Sequence, residues 1–352
     1  MKQRTKAGEG RRTRGASSLS RPSAQASRVA ITGASSFLGK NLIGLLEEDA
    51  RVGTIIALDT SPPDTAGPKT RYYELDLSQP ASEERLTEIC EAERVTCVTH
   101  LAFLEAPTHA TAWAHELESV GTMHVLNSCR RAGVPKVVMR SQTTLYGAHP
   151  TNPNFLTERH PLRARRDVPY FADKLEAERD ALRFAKPGSG RTVTILRMAP
   201  VLGPTIQNAI TRYFGRRLIP TLLGFDPLWQ FLHEADAVAA LKLAVDHDVP
   251  GTFNIVGQGV LPLSTAIKLA GRVNVPLPGP FARSVARALW VAHLLEAPPT
   301  LVDYLQYICV ADGRLAAEQL GFIPVFTTRE AVIDFANAQH LRDVRLLSEA
   351  KA

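Results

Sequence analysis

The chain predicts an α/β fold, a doubly wound parallel sheet with a smaller C-terminal substrate lobe, and three observations predict it. An apolar run from Arg28 to Thr32 breaks at Gly33 into a Gly/Ser turn and then into a helical pattern. Strand-like and helix-like segments alternate from there to about residue 200, the pattern of a parallel sheet covered on both faces. The 352 residues, 45% of them hydrophobic, suffice to bury a core of that size.

The elements follow in order. After the first strand, Lys40 to Glu48 carries Leu42, Ile43, Leu45 and Leu46 at helical spacing, and Gly53 to Asp59 reads as a second strand. That is a βαβ opening. Further strands are expected at Thr70–Leu75, Val95–Leu101, Lys136–Arg140 and Thr192–Leu196, separated by helices at Ala81–Glu93, Trp113–Ala132 and Tyr170–Arg183. Beyond residue 200 the alternation weakens and proline becomes frequent, as in Pro276-Leu-Pro-Gly-Pro280. The division expected is a basic tail over 1–27, a mainly dinucleotide-binding part over 28–200, a mainly substrate-binding lobe over 201–340 with the chain free to cross between the two, and a tail over 341–352.

The formal net charge of +6 does not describe the body of the chain. Residues 1–27 hold Lys2, Arg4, Lys6, Arg11, Arg12, Arg14 and Arg21 against Glu9 alone, so the rest sums to zero. This Ser/Gly/Arg-rich segment has no apolar stretch and reads as a disordered extension, with an organelle transit peptide or a phosphate-binding arm as the alternatives. Nucleic acid is therefore not the expected partner. No uninterrupted apolar run of membrane-spanning length occurs. Cys90, Cys97, Cys129 and Cys309 lie far apart without metal or redox spacing, which reads as reduced thiols in a cytoplasmic protein. No metal is expected: no His/Asp/Glu cluster has ligand spacing, and neither a G-x-S-x-G nor an activated-Cys pattern is present.

The motifs point to a nicotinamide cofactor. Gly33, Ser36 and Gly39 fall at G-x-x-G-x-x-G spacing between strand and helix. Gly33 permits a tight turn, the small Ser36 lets backbone approach phosphate, and Gly39 lets the helix pack closely on the sheet with its N-terminus toward the anion. Ser35, Phe37 and Leu38 belong to the same cradle. Asp59 ends the next strand, 26 positions after Gly33, and no Arg follows it immediately. A carboxylate there binds a ribose 2′-hydroxyl and repels a 2′-phosphate, so NAD is expected rather than NADP. Tyr170 and Lys174 sit four apart on a helical stretch and share a face. An adjacent ammonium and a nicotinamide cation would favour the phenolate of Tyr170, giving a proton carrier, and Lys174 can also hold the nicotinamide ribose.

These segments, together with Asp76-Leu77, His100-Leu-Ala102, Leu145-Tyr-Gly147, Leu196-Arg-Met-Ala-Pro-Val-Leu-Gly-Pro204, Phe231-Leu-His-Glu-Ala-Asp236 and Leu320-Gly-Phe-Ile-Pro324, resemble the extended short-chain dehydrogenase/reductase family. Within it they look like the NAD-dependent epimerase/dehydratase branch that includes UDP-galactose 4-epimerase. The similarity runs from about Arg28 to Ala336. It implies a Rossmann-type sheet, Asp76 and Leu77 by the adenine, and Leu101, Ala102 and Phe103 along the pyrophosphate and ribose path. It implies Tyr170 exchanging a proton with a substrate hydroxyl while hydride moves to or from nicotinamide. His100 and His233 read as structural members of their motifs. Family members often pair as homodimers through a helix bundle.

The departures from the family pattern bear on substrate. Where the family writes a catalytic Ser or Thr, this chain has Gln142 in Ser141-Gln-Thr-Thr-Leu-Tyr-Gly147. A Gln amide donates a hydrogen bond to developing oxyanion charge but cannot relay a proton as a hydroxyl does; Thr143 is the other candidate to orient the reacting oxygen, with Thr144 toward the substrate. Pro200 stands in place of a usual Asn, Trp229 in place of a usual diphosphate-binding Arg, and Glu118 in place of a usual Asn before Gly121-Thr122. Arg212, Arg216 and Arg217 are available as replacement phosphate contacts. Phe281–Leu295 is amphipathic and is expected to be a core-facing lobe helix, with a lid or a membrane contact as the alternatives.

The function expected is an NAD-dependent epimerase/dehydratase-type oxidoreductase acting on a hydroxyl or keto group of a nucleotide-sugar-like small molecule. A dehydrogenase of a steroid or lipid-like alcohol or ketone and a catalytically silent NAD-binding regulator are the alternatives.

Overall fold

A computed structural model describes residues 26–349, apart from 186, 187, 189 and 296. The basic tail over 1–27 therefore lies almost wholly outside the described residues. Six strands build the sheet's main run: β1 Ser27–Thr32, β2 Val52–Asp59, β3 Thr70–Glu74, β4 Cys97–His100, β5 Lys136–Gln142 and β6 Thr192–Met198. All pair in parallel in the order β3-β2-β1-β4-β5-β6. Strand order reverses between β1 and β4, so the crevice beyond their C-terminal ends is the place this topology offers a ligand.

Both faces of the sheet are buried, which is why its strands read as near-continuous apolar runs. Val29 and Ile31 of β1 pack into one core with Leu38, Leu42 and Leu46 of helix α1 (Phe37–Glu48). Ala30 between them faces the other core, with Leu86 of α2 (Ser82–Ala92), Val125 of α4 (Gly121–Arg131) and Ala177 of α5 (Pro169–Phe184). This two-residue alternation is the pleat of a strand with helices above and below it. Every expected strand is present within two residues at each end. The helix expected over Trp113–Ala132 is instead α3 (Thr111–His115) joined to α4 by a π-helical turn over Glu116–Val120.

Three features of the second half were not read from the sequence. Gly251–Ile255 returns to the sheet and pairs in parallel with β6 as a seventh strand. The helix Thr328–Glu349 continues through most of the segment set apart as a C-terminal tail. The helix Gly279–Val291 has no buried residue, so the core-facing expectation is corrected: Phe281 is 58% exposed and Val291 71%. Its apolar stripe lies toward solvent because the lobe core is already filled by Phe214, Ile219, Phe231, Leu263 and Phe335. The helix is held instead by Arg283 to Asp303, 2.7 Å, and by Trp290 stacked on His109 at 3.9 Å.

Among the described residues no helix is long and apolar enough to cross a membrane, and no cluster of His, Cys, Asp or Glu could hold a metal ion. The four cysteines are free; burial pushes the Cys90 and Cys309 thiols up to about 12 and that of Cys97 to about 11, so they stay protonated at neutral pH.

Candidate active site

The Gly-rich turn is built for close approach. Gly33 has φ +69°, and a Cβ there would lie 2.7 Å from the Leu101 carbonyl carbon. At Gly39 a Cβ would meet the Gly33 oxygen at 2.3 Å, so glycine is what allows α1 to sit on the turn. Ser36 is the N-cap, its hydroxyl accepting from the Gly39 N–H at 3.1 Å. An α-helix leaves its first N–H groups without intrahelical partners, and here those of Phe37 and Leu38 stand at the start of α1. Asp59, at the end of β2, overhangs the turn: one carboxylate oxygen accepts from the Ser35 N–H at 2.9 Å and the other from the Thr60 N–H at 2.7 Å. The Asp76 carboxylate closes its own turn, accepting from the N–H and hydroxyl of Ser78 and from Gln79. Leu77, Leu101 and Phe103 are buried and Ala102 is half-buried. A Gly-rich cradle with a carboxylate at the end of β2 fits the pyrophosphate and adenine ribose of NAD.

Beyond the ends of β5 and β6 opens a cleft enclosing about 630 Å³ of empty space, mouth included. Tyr170, Gln142, Thr144 and Pro200 all line it, so four of the residues singled out in the sequence meet there. The Tyr170 hydroxyl donates to Gln142 Oε1 at 3.3 Å, and the Lys174 Nζ stands 4.2 Å from the centre of the Tyr170 ring. Pro169 opens α5, and Tyr170 and Lys174 follow one turn apart on it.

Two of the residues singled out in the sequence stand outside this cleft. Thr143, in the short turn Thr143–Tyr146, is buried outside the cleft lining, and its carbonyl accepts from the Cys309 thiol at 3.5 Å; the hydroxyl beside the cleft is that of Thr144. Trp229 is likewise outside the lining, because it completes the lobe's aromatic cluster with Tyr213, Phe214 and Phe231. Arg212, Arg216 and Arg217 do not line the cleft either.

The electrostatics also differ from the sequence reading. The Lys174 ammonium is bonded to Glu118, a carboxylate 1% exposed in the π-helical turn, whose Oε1 also accepts the Leu104 N–H at 2.6 Å. Burial pushes the Tyr170 phenol well above its usual value, and the Glu118 carboxylate adds to the rise; the Gln142 bond and Arg140 only partly oppose it. Burial also pulls Lys174 down, against the opposing pull of Glu118. Without cofactor, then, Tyr170 is a neutral phenol, held so chiefly by burial with Glu118 adding to it. One further pair escaped the sequence reading: Arg140 binds Glu105 through two bonds, 2.6 and 2.8 Å, on the cleft wall.

The sheet order, the glycine cradle and the Tyr/Lys pair define an extended short-chain dehydrogenase/reductase. The chain belongs to the NAD dependent epimerase/dehydratase family, whose model matches residues 29–256. It is similar to uncharacterized proteins of Mycobacterium tuberculosis and Mycobacterium bovis, 31% identical over 323 residues, covering 90% of this chain and 85% of theirs. A 3-diazoavenalumate denitrifying reductase of Streptomyces sp is 26% identical over 247 residues, 67% of this chain and 77% of that one. In structure it is similar to MoeE5 in complex with UDP-glucuronic acid and NAD (TM-score 0.70, 24% identity) and to UDP-glucose 4-epimerase with UDP-glucose from Thermotoga maritima (TM-score 0.69, 19% identity). Each comparison covers 90% of this chain and 99% of the other.

Proposed function

We propose that this chain is an NAD-dependent oxidoreductase of the epimerase/dehydratase type, acting on a hydroxyl or keto carbon of a nucleotide-sugar-like substrate. The observation that carries it is the Tyr170 hydroxyl in the cleft, 3.3 Å from Gln142 Oε1 with Lys174 over its ring. NAD supplies the hydride acceptor or donor when bound. The turn from Gly33 to Gly39 would hold its pyrophosphate, Asp59 its adenine ribose and Lys174 its nicotinamide ribose. Tyr170 gives its proton to the substrate oxygen or takes one from it, and Gln142 orients that oxygen. The UDP-sugar complexes of MoeE5 and the Thermotoga epimerase support the substrate class by analogy of fold.

The lining of the cleft favours a second reading, a more apolar alcohol or ketone. Pro107, Phe171, Met198, Pro200, Ile210 and Leu301 form much of the wall, and Arg140, the cation in that lining, is already paired. Titrating the NAD-loaded protein calorimetrically with UDP-glucose and with a sterol decides between them. UDP-glucose binding supports the first, sterol binding alone supports the second, and binding of neither rejects both.

A further inference from the structure

We propose that Arg140, clamped by Glu105, is a third catalytic side chain, which together with the Gln142 amide receives the oxygen of a carbonyl substrate during its reduction. The inference rests on the reading of Tyr170 as the proton carrier and adds to it the group that stabilises negative charge.

The placement is set by β5. Arg140 and Gln142 are two residues apart on that strand and so share a face, and both line the substrate cleft with Tyr170 and Thr144. Arg140 and Gln142 also line a smaller adjoining pocket with Phe103 and Lys174, on the side where the nicotinamide ribose would be held. The guanidinium thus stands where cofactor and substrate would meet. Its side chain is 12% exposed. Of its five N–H groups, two are spent on Glu105 and the others make no hydrogen bond to the described protein. Glu105 is itself anchored, its carbonyl accepting from the Ala209 N–H at the start of the helix Ala209–Gly215.

A second observation points to the same ligand. Gln142 gives its Oε1 to Tyr170, which leaves Nε2 buried without a partner, and the Thr144 hydroxyl is buried without one as well. Buried polar groups are normally satisfied. Groups able to donate, left open beside a fixed guanidinium, form a preorganised receptor for an oxygen that gains charge. Bound NADH would supply hydride to the carbonyl carbon, and the C=O π pair would then move onto oxygen. That oxygen then takes the proton as the Tyr170 O–H bond breaks, and the phenolate is reprotonated from solvent. Glu105 balances the guanidinium charge in the resting cleft and fixes its plane; it is a positioning residue.

The test uses the full chain loaded with NADH, with phenanthrenequinone and a UDP-ketosugar as probes, following NADH oxidation, NADH affinity by fluorescence, and thermal melting. Arg140→Met should lower kcat about 10²–10³-fold while KM and NADH affinity stay near wild type, and Arg140→Lys should recover part of the loss. Glu105→Gln should lower kcat and move the pH profile with KM unchanged. The double variant Arg140→Met with Glu105→Leu removes the pair without stranding a charge, and it should melt like wild type and remain slow. If Arg140→Met keeps wild-type kcat while Tyr170→Phe loses it, this proposal falls and the reading of Tyr170 stands. A wild type that binds NADH yet reduces neither carbonyl overturns the proposal too, and failure to bind NADH overturns the underlying reading.

Discussion

The ammonium of Lys174 is bonded to the buried carboxylate of Glu118, and this ion pair stands directly behind the ring of Tyr170. It ties α5 to the π-helical turn Glu116–Val120, an irregularity of the kind often found at functional sites. Replacing Glu118 by Gln leaves Lys174 buried without its counter-charge, a change that costs about 3–5 kcal/mol when a buried pair is broken. It also removes the carboxylate that helps to raise Tyr170. The variant should melt lower than wild type, and the basic limb of its pH-rate profile should move to lower pH. An unmoved profile would show that Glu118 does not act on Tyr170.

Tyr170→Phe should be structurally mild. Among the described residues the hydroxyl makes one hydrogen bond, to Gln142, and the ring keeps its edge contact with Phe171 at 5.3 Å between centroids. Turnover should fall about 10²–10⁴-fold, the range for loss of a positioned acid or base, with melting temperature and NAD affinity preserved. Rate measurements alongside cofactor titration check this.

Most of the fold was legible because both faces of the sheet are covered, so β1 and β2 appear as apolar runs and each crossover helix carries its own stripe. The turn at Gly33, Ser36 and Gly39 and the place of Asp59 at the end of β2 were legible for a related reason: they depend on local backbone and sequence spacing. What the sequence did not reveal depends on long-range packing. Gly251–Ile255 is a short strand directly after Pro250, recognisable only by its pairing with β6. The exposure of the helix Gly279–Val291 follows from a lobe core filled by other elements. The Arg140–Glu105 pair joins residues 35 positions apart, and the compensation of Lys174 joins residues 56 apart. Charge pairing at such separations leaves no periodic signal. Thr143 and Thr144 were adjacent candidates, and only the geometry of the turn separates them.

Cofactor choice should follow Asp59. Its two oxygens hold the Ser35 and Thr60 N–H groups, which fixes the carboxylate at the end of β2 beside the Gly-rich turn, and a 2′-phosphate bound there would be repelled by its charge. Asp59→Asn should weaken NAD binding and raise NADP binding, narrowing the preference about tenfold, since loss of roughly 1.4 kcal/mol is one decade. Parallel titrations with NAD and NADP measure it; an unchanged ratio would remove Asp59 from the cofactor site.

Acid stability should carry the mark of His100. It is 1% exposed between the hydroxyls of Thr32, 2.7 Å, and Thr122, 2.9 Å, and burial pulls it down from 6.5 to about 3. The unfolded chain therefore binds a proton that the folded chain refuses between those values. Its contribution is full above pH 6.5 and is lost as pH falls toward 3, at about 1.4 kcal/mol per pH unit. His100→Asn should flatten the acid limb of a denaturation series, whereas an identical limb would assign the acid sensitivity to other groups.

Proton transfer by Tyr170 beside a bound NAD can be tested on the purified protein. The most direct measurement identifies the nucleotide that co-purifies with wild type and with Tyr170→Phe by mass spectrometry, then follows nicotinamide absorbance as UDP-sugars and sterols are added. NAD is expected in both proteins, with a substrate-dependent change in wild type alone. Equal inertness of the two proteins with NAD bound, or equal turnover by both, would contradict it.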